Sequence, residues 1–182
     1  REIFPEYTTE RFENKGKLRV VFFEGGDRFI KDNELVMESI RRIYKLDFVD
    51  LVVQPRTRGS KLNFDELNVP AAVDRTAPAF SLCYWADVVI VGVTSVFMDA
   101  FCLGKPLIFP KYHFTRSTIF EEMNVGWLVN SHEEIVDALK KTNKNPGYRP
   151  YSEQNVKQFL TYIVHGGVEN RNVLGDCKDF IL

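Results

Sequence analysis

The run Asp87–Val93, DVVIVGV, is apolar at every position after its first. It is short, rich in β-branched residues and ends at a glycine, so it reads as a strand. A strand whose successive side chains point to opposite faces can be apolar throughout only if both faces are covered. That is the signature of a parallel sheet packed between two layers of helices. Leu18–Phe23 (LRVVFF), Asp50–Gln54 (DLVVQ), Leu107–Phe109 and the weaker Trp127–Val129 read as further strands, and Ala71–Asp74 is expected to add one more.

Helical patterns lie between them. Val36, Ile40 and Ile43 mark one face of a helix over Asn33–Leu46,. Residues 63–68 and Ile119–Met123 suit short helices. Pro78 opens a helix that runs to Ala86. A helix over 95–103 is closed by Gly104. Ser131 and Glu134 form a capping box ahead of a face made by Ile135, Val136 and Leu139. Val156, Phe159, Leu160 and Ile163 mark the last helix. Strand and helix alternate, so the fold expected is α/β: a single Rossmann-like, doubly wound parallel sheet. It occupies residues 18–165, with a lead-in over 1–17 and a C-terminal tail over 166–182.

Bulk properties narrow the function classes. The chain has 182 residues, enough for one domain that buries roughly 70% of its unfolded surface,. Its net charge of −1 points to neither nucleic acid nor an anionic membrane,. No apolar run approaches the ~20 residues of a membrane span. The three cysteines, Cys83, Cys102 and Cys177, have no metal-ligand spacing, so no metal or other cofactor is expected,. They fit small core thiols in a reducing cytoplasm. A first residue of Arg1 rather than Met fits an excised piece of a longer protein.

In a doubly wound sheet the ligand lies beyond the carboxyl ends of the strands. The loops there carry Gly25, Gly26 and Arg28 after the first strand and Arg56, Thr57 and Arg58 after the second. Thr94 and Ser95 follow the strand 87–93, and Lys111, His113 and Arg116 follow the next. Basic side chains in such a cleft suit a phosphate-bearing ligand, although surface loops are rich in charge for ordinary reasons. A strand that ends at Gly92 and turns into a helix at Thr94–Ser95 presents free N–H groups and a helix dipole to an anion. Ser95 and Asp99 are four apart and share a helix face, so Asp99 would accept hydrogen bonds from ribose or sugar hydroxyls. The plainer alternatives are simple N-capping by Thr94 and Ser95 and a buried structural acid at Asp99. Phe29 stands where the third glycine of a GxGxxG fingerprint belongs, which disfavours NAD. No GxxxxGK[ST] loop and no GxSxG elbow is present,.

Residues 84–118, YWADVVIVGVTSVFMDAFCLGKPLIFPKYHFTRST, resemble the C-terminal, donor-binding half of GT-B glycosyltransferases. The resemblance rests on the acid–Ala pair Asp99–Ala100, the turn Gly104–Lys105–Pro106 and the strand Leu107–Phe109. It continues through MNVGWLVNSHEEIVDALKK, residues 123–141. Polysaccharide glycosyltransferases, nucleotide-sugar 2-epimerases and CDP-glycerol-type transferases look similar. The resemblance implies one half of a GT-B fold that binds a nucleotide-sugar donor and acts in polysaccharide or glycan biosynthesis. An N-terminal acceptor domain, in the same or another chain, would complete it. Thr94 and Ser95 would hold the diphosphate and Asp99 the donor hydroxyls. Gly25 and Gly26 would let the backbone approach the phosphates, and Arg56 would neutralise them, with His113 and Arg116 on the same side. The E-x7-E pair of retaining members is not reproduced: Asp99 stands at its second position and Val91 at its first. Pro55–Arg56 stands where CDP-glycerol-type relatives carry His–Pro. A 2-epimerase-like enzyme and a non-catalytic nucleotide-binding or interaction module are the competing readings.

Overall fold

The structure is a computed structural model that describes residues 16–56, 59–67, 69, 73–168 and 172. Five strands form one parallel sheet: β1 (Leu18–Phe23), β2 (Val49–Gln54), β3 (Val88–Val91), β4 (Leu107–Pro110) and β5 (Trp127–Val129), in the order β2-β1-β3-β4-β5. Six helices accompany them: α1 (Asn33–Tyr44), α2 (Ala79–Trp85), α3 (Phe97–Cys102), α4 (Ile119–Glu122), α5 (His132–Lys144) and α6 (Glu153–His165). Of the strand expected at Ala71–Asp74, residues 71 and 72 lie outside the described residues. Val73 makes only an isolated parallel bridge to Val53. The ends of the tail and lead-in, Thr57, Arg58 and Cys177 also lie outside them.

The uniform apolarity of the strands has its cause in two separate cores. Val20 and Phe22 of β1 and Val88 and Ile90 of β3 point to one side, where α1 supplies Val36, Met37, Ile40 and Ile43, and α5 supplies Ile135 and Leu139. Val21, Phe23, Val89 and Val91 point to the other side, against Leu82 and Trp85 of α2, Phe101 of α3 and Phe159 of α6. Alternate residues of one strand therefore serve different layers, and none of the four β3 residues reaches solvent. At roughly 25 cal/mol per Å² of buried apolar area, this double burial is the main stabilising contribution.

The amino end of the sheet is closed by polar links. Arg19 in β1 donates from its backbone N, at 2.9 Å, and from Nε, at 3.0 Å, to Asp87 beside β3. Lys105 donates to the carbonyls of Tyr84 and Ala86 at the end of α2, at 2.9 and 2.7 Å. The expected capping box at Ser131 is half formed. Ser131 accepts from Glu134 N at 3.2 Å, while the Glu134 carboxylate reaches back one residue further, to Asn130 N at 2.7 Å. Cys83 is buried as expected. Cys102 is exposed, because it sits at the outer end of α3 rather than against the sheet.

Candidate functional site

At the carboxyl end of the sheet the loops after β1 and β3 are pressed together. A Cβ built on Gly25 would stand 2.8 Å from Val93 N, and one on Gly92 would stand 2.6 Å from the Gly25 Cα and 2.9 Å from the Phe114 ring. Backbone meets backbone here, so only glycine fits at either position. Gly26 N donates to Val93 O at 3.0 Å and fixes the pair in register. A Cβ on Gly26 would meet only an ordinary contact. Gly25 therefore sets the approach of two loops, and Thr94 begins where that contact ends.

Glu24 organises the adjoining loop. It is 4% exposed, and its two carboxylate oxygens accept from Arg56 N and from Ser60 Oγ, each at 2.9 Å. The β2 loop that carries Arg56 is thus tied to the end of β1. Glu24 directly precedes the glycine pair of the loop expected to face the ligand. A carboxylate directly after a buried strand was the available signal.

Helix α3 starts later than the spacing implies. The chain turns through Ser95 and Val96 (Met98 N donates to Ser95 O at 3.1 Å), and the regular helix begins at Phe97. Val96 occupies the cap position in a helical conformation and makes no side-chain cap. The N-capping alternative for Thr94 and Ser95 therefore has no hydrogen bond behind it. Ser95 is exposed, Thr94 and Asp99 are half-buried, and none of the three side chains has a hydrogen-bond partner among the described residues. Asp99 is accordingly not the satisfied buried acid of the plainer reading. Partial burial pushes its carboxyl above the ordinary value. Burial, with a smaller effect from the Asp99 charge, pushes the Cys83 thiol in α2 up to about 12. Asp99, two residues after Phe97, lies on the opposite side of α3 from it,.

The other side of α3 faces a cavity of about 340 Å³. Thr94 and Arg116 border it, and Phe29, Phe97, Phe114 and Ile119 supply most of its wall. The Arg28 and Arg116 guanidinium groups lie 5.8 and 5.9 Å from the centre of the Phe29 ring. Thr118, also on the wall, is the N-cap of α4 in a capping box with Glu121, whose carboxylate accepts from Thr118 N at 3.0 Å. These aromatic positions were missed in sequence. The clustered phenylalanines of residues 109–120 were their visible trace.

His113 must be removed from the ligand-side residues. It is 1% exposed, and its Nε2 lies 2.7 Å from Ser39 Oγ in α1. Ser39 also contacts Leu35 O at 2.8 Å, Tyr112 OH at 2.6 Å and His132 Nδ1 at 3.0 Å. A hydroxyl has one proton and two acceptor sites, so these four contacts share Ser39 Oγ, and the donor in each imidazole contact is set by the ring tautomer,. Burial, reinforced by His132, pushes the His113 pKa down to about 3. The ring is neutral and structural. Lys111 is likewise committed, to an ion pair with Glu121. Among the described residues, no group of three His, Cys, Asp or Glu side chains could hold a metal ion, and no helix is long and apolar enough to cross a membrane.

The structure thus gathers Gly25, Gly26, Thr94 and, through Glu24, Arg56 along one edge. It sets Arg116 across the cavity, Asp99 on the far side of α3, and His113 in the core. No family model matches the chain, and no curated protein matches it. Solved structures do. The spinosyn rhamnosyltransferase SpnG aligns over 89% of this chain and 44% of its own, with 15% identity and a TM-score of 0.58. The wall teichoic acid polymerase TagF aligns over 80% of this chain and 36% of its own, with 13% identity and a TM-score of 0.52. A putative UDP-N-acetylglucosamine 2-epimerase from Listeria monocytogenes aligns over 84% of this chain and 46% of its own, with 12% identity and a TM-score of 0.51. The fold is therefore the Rossmann-like domain of GT-B enzymes, and the chain spans less than half the length of the proteins it matches.

Proposed function

We propose that this chain is the donor-binding half of a nucleotide-sugar-dependent glycosyltransferase. The observation that carries the reading is the set of unpaired polar groups at the carboxyl edge. Thr94, Ser95 and Asp99 stand beside a backbone contact that only glycine permits, and none of the three side chains is paired among the described residues. The N–H groups of residues 94–97 precede the hydrogen-bonded ladder of α3 and are open to an acceptor. A diphosphate laid across this turn meets those N–H groups and the two hydroxyls, with Arg56 to one side and Arg116 to the other. The same likeness is consistent with that ligand: a structure of SpnG, with a TM-score of 0.55 to this chain, holds thymidine diphosphate.

The reaction would be displacement at the anomeric carbon of the donor. The acceptor oxygen forms the new bond, the bond from sugar to diphosphate breaks, and the diphosphate leaves with the electron pair. This half would stabilise the departing charge with fixed N–H donors and cations. The acceptor and the base that removes its proton would come from a second domain of the same or another chain, working from a cytoplasmic pool of nucleotide sugar. Titration of the chain with uridine, cytidine, guanosine and thymidine diphosphates is the test. Binding of at least one at micromolar to low-millimolar concentration is expected. Absence of binding to all four would leave the fold serving as an interaction module.

A further inference from the structure

Helix α3 shows two chemically different flanks. Phe97 and Asp99 are two apart and so lie on nearly opposite sides of the helix. Asp99 is not among the residues that line the neighbouring cavity, and no side chain among the described residues pairs with it. Phe97 faces α4 and closes the 340 Å³ cavity. Among the described residues no carboxylate lines that cavity. Its polar groups there are the Thr94 and Ser117 hydroxyls, the Thr118 hydroxyl at the N-cap of α4, and the Arg116 guanidinium over Phe29.

We infer that the cavity seats the sugar of the donor and that its phenylalanine and isoleucine walls select a sugar that lacks a hydroxyl on that side, a 6-deoxyhexose being the simplest. This rests on the donor-binding reading above. A nucleotide sugar has two ends joined by the diphosphate, and the turn at Thr94–Ser95 lies between the flanks. The ribose of any nucleotide carries a cis-diol that needs acceptors, and among the described residues the Asp99 flank is the one that offers a carboxylate. The sugar then falls on the cavity side. A nucleobase placed in the cavity would strand its amide edge against phenylalanine rings, and a hydroxymethyl group there would lose its water to the same rings. A methyl group loses nothing. Thr118 is engaged at the N-cap of α4, and the Thr94 and Ser117 hydroxyls remain to pair with ring hydroxyls of the sugar.

The test uses the nucleoside diphosphate that binds tightest, presented as its glucose ester and as its 6-deoxyglucose ester. The 6-deoxy ester should bind about ten- to a hundredfold more tightly, the range over which an apolar pocket discriminates against an added hydroxyl. Ile119→Thr and, on the half-buried ring at the rim, Phe29→Asn should each narrow that ratio to within about threefold. Circular dichroism verifies that both variants are folded. Equal affinity for the two esters in the unaltered chain, or an unchanged ratio in both folded variants, overturns the inference while leaving the donor site intact. Failure of every nucleoside diphosphate to bind overturns the donor reading and this assignment with it.

Discussion

Two polar corners sit at the same end of one sheet and are built on opposite plans. On the α1/α5 face, four contacts of 2.6 to 3.0 Å join Ser39 to Tyr112, His113 and His132 and Tyr112 to His132, and the ring that reaches deepest is neutral. On the α3 face, Thr94, Ser95 and Asp99 carry comparable hydrogen-bonding capacity and no partner among the described residues. Burying polar groups is tolerable when they satisfy one another and costly when they do not. The first corner is a fastening between α1, α5 and the β4 loop. The second is held open by the glycine contact beneath it. The expectation that follows is a clean separation: changes in the closed corner cost stability, and changes in the open corner cost binding.

The largest effect should come from the contact that supports the open corner. Gly92→Ala drives a Cβ into the Gly25 backbone, which cannot rotate away, and should lower the unfolding free energy by about 3 kcal/mol, the upper end of the usual overpacking cost,. Gly26→Ala meets only an ordinary contact and should stay within about 0.5 kcal/mol,. Urea midpoints for the pair measure this. Equal costs would mean that the glycines serve a ligand rather than each other.

Next in size is the closed corner. Ser39→Ala leaves His113 buried without its partner and should cost about 1–3 kcal/mol in the same assay, with no loss of nucleotide affinity. The corner should also respond to acid. The folded pKa of His113, about 3, lies below its unfolded value of about 6.5,. Its contribution is fully present above about pH 6.5 and is lost as pH falls toward 3, because the unfolded chain takes up a proton that the fold refuses. His132, lowered by burial and then by Arg42, acts in the same direction. Between pH 6.5 and 5, His113→Gln should flatten the loss of stability. In that window Asp87, which Arg19 holds below the usual carboxylate range against the cost of burial, is still ionised. An unchanged slope would show that the ring is not the proton acceptor that matters.

The smallest effects on stability belong to the open corner. Thr94→Val and Asp99→Asn remove groups that no side chain uses, and each should alter the unfolding free energy by less than about 0.5 kcal/mol. A loss near 2 kcal/mol from either would reveal a structural partner and erase the contrast between the corners.

The closed and open corners also differ in how far they could be read in advance. The strands, their parallel pairing and the loops at their carboxyl ends follow from local pattern, because two-sided burial imposes continuous apolarity on each strand separately. Thr94 and Asp99 fall at the predicted edge for the same reason. His113 could not be read so. It stands in a loop expected from sequence to face the ligand, and its burial depends on Ser39, 74 residues earlier. The start of α3 was misjudged because Thr94–Ser95 has the composition of a cap, while the turn through Ser95 and Val96 moves the helix on by two residues. The Gly25–Gly92 contact joins two strands that are adjacent only once the sheet order β2-β1-β3 is known.

The account stands most directly on Asp99. Titration calorimetry of the unaltered chain and of Asp99→Asn, each with a nucleoside diphosphate and with inorganic pyrophosphate, separates a ligand-binding acid from an idle one. The account predicts that the substitution weakens the nucleotide by about 1–3 kcal/mol, the worth of a charged hydrogen bond to a hydroxyl, and leaves pyrophosphate unchanged because it brings no hydroxyl to the site. An equal loss for both ligands, or no loss for either, would contradict it.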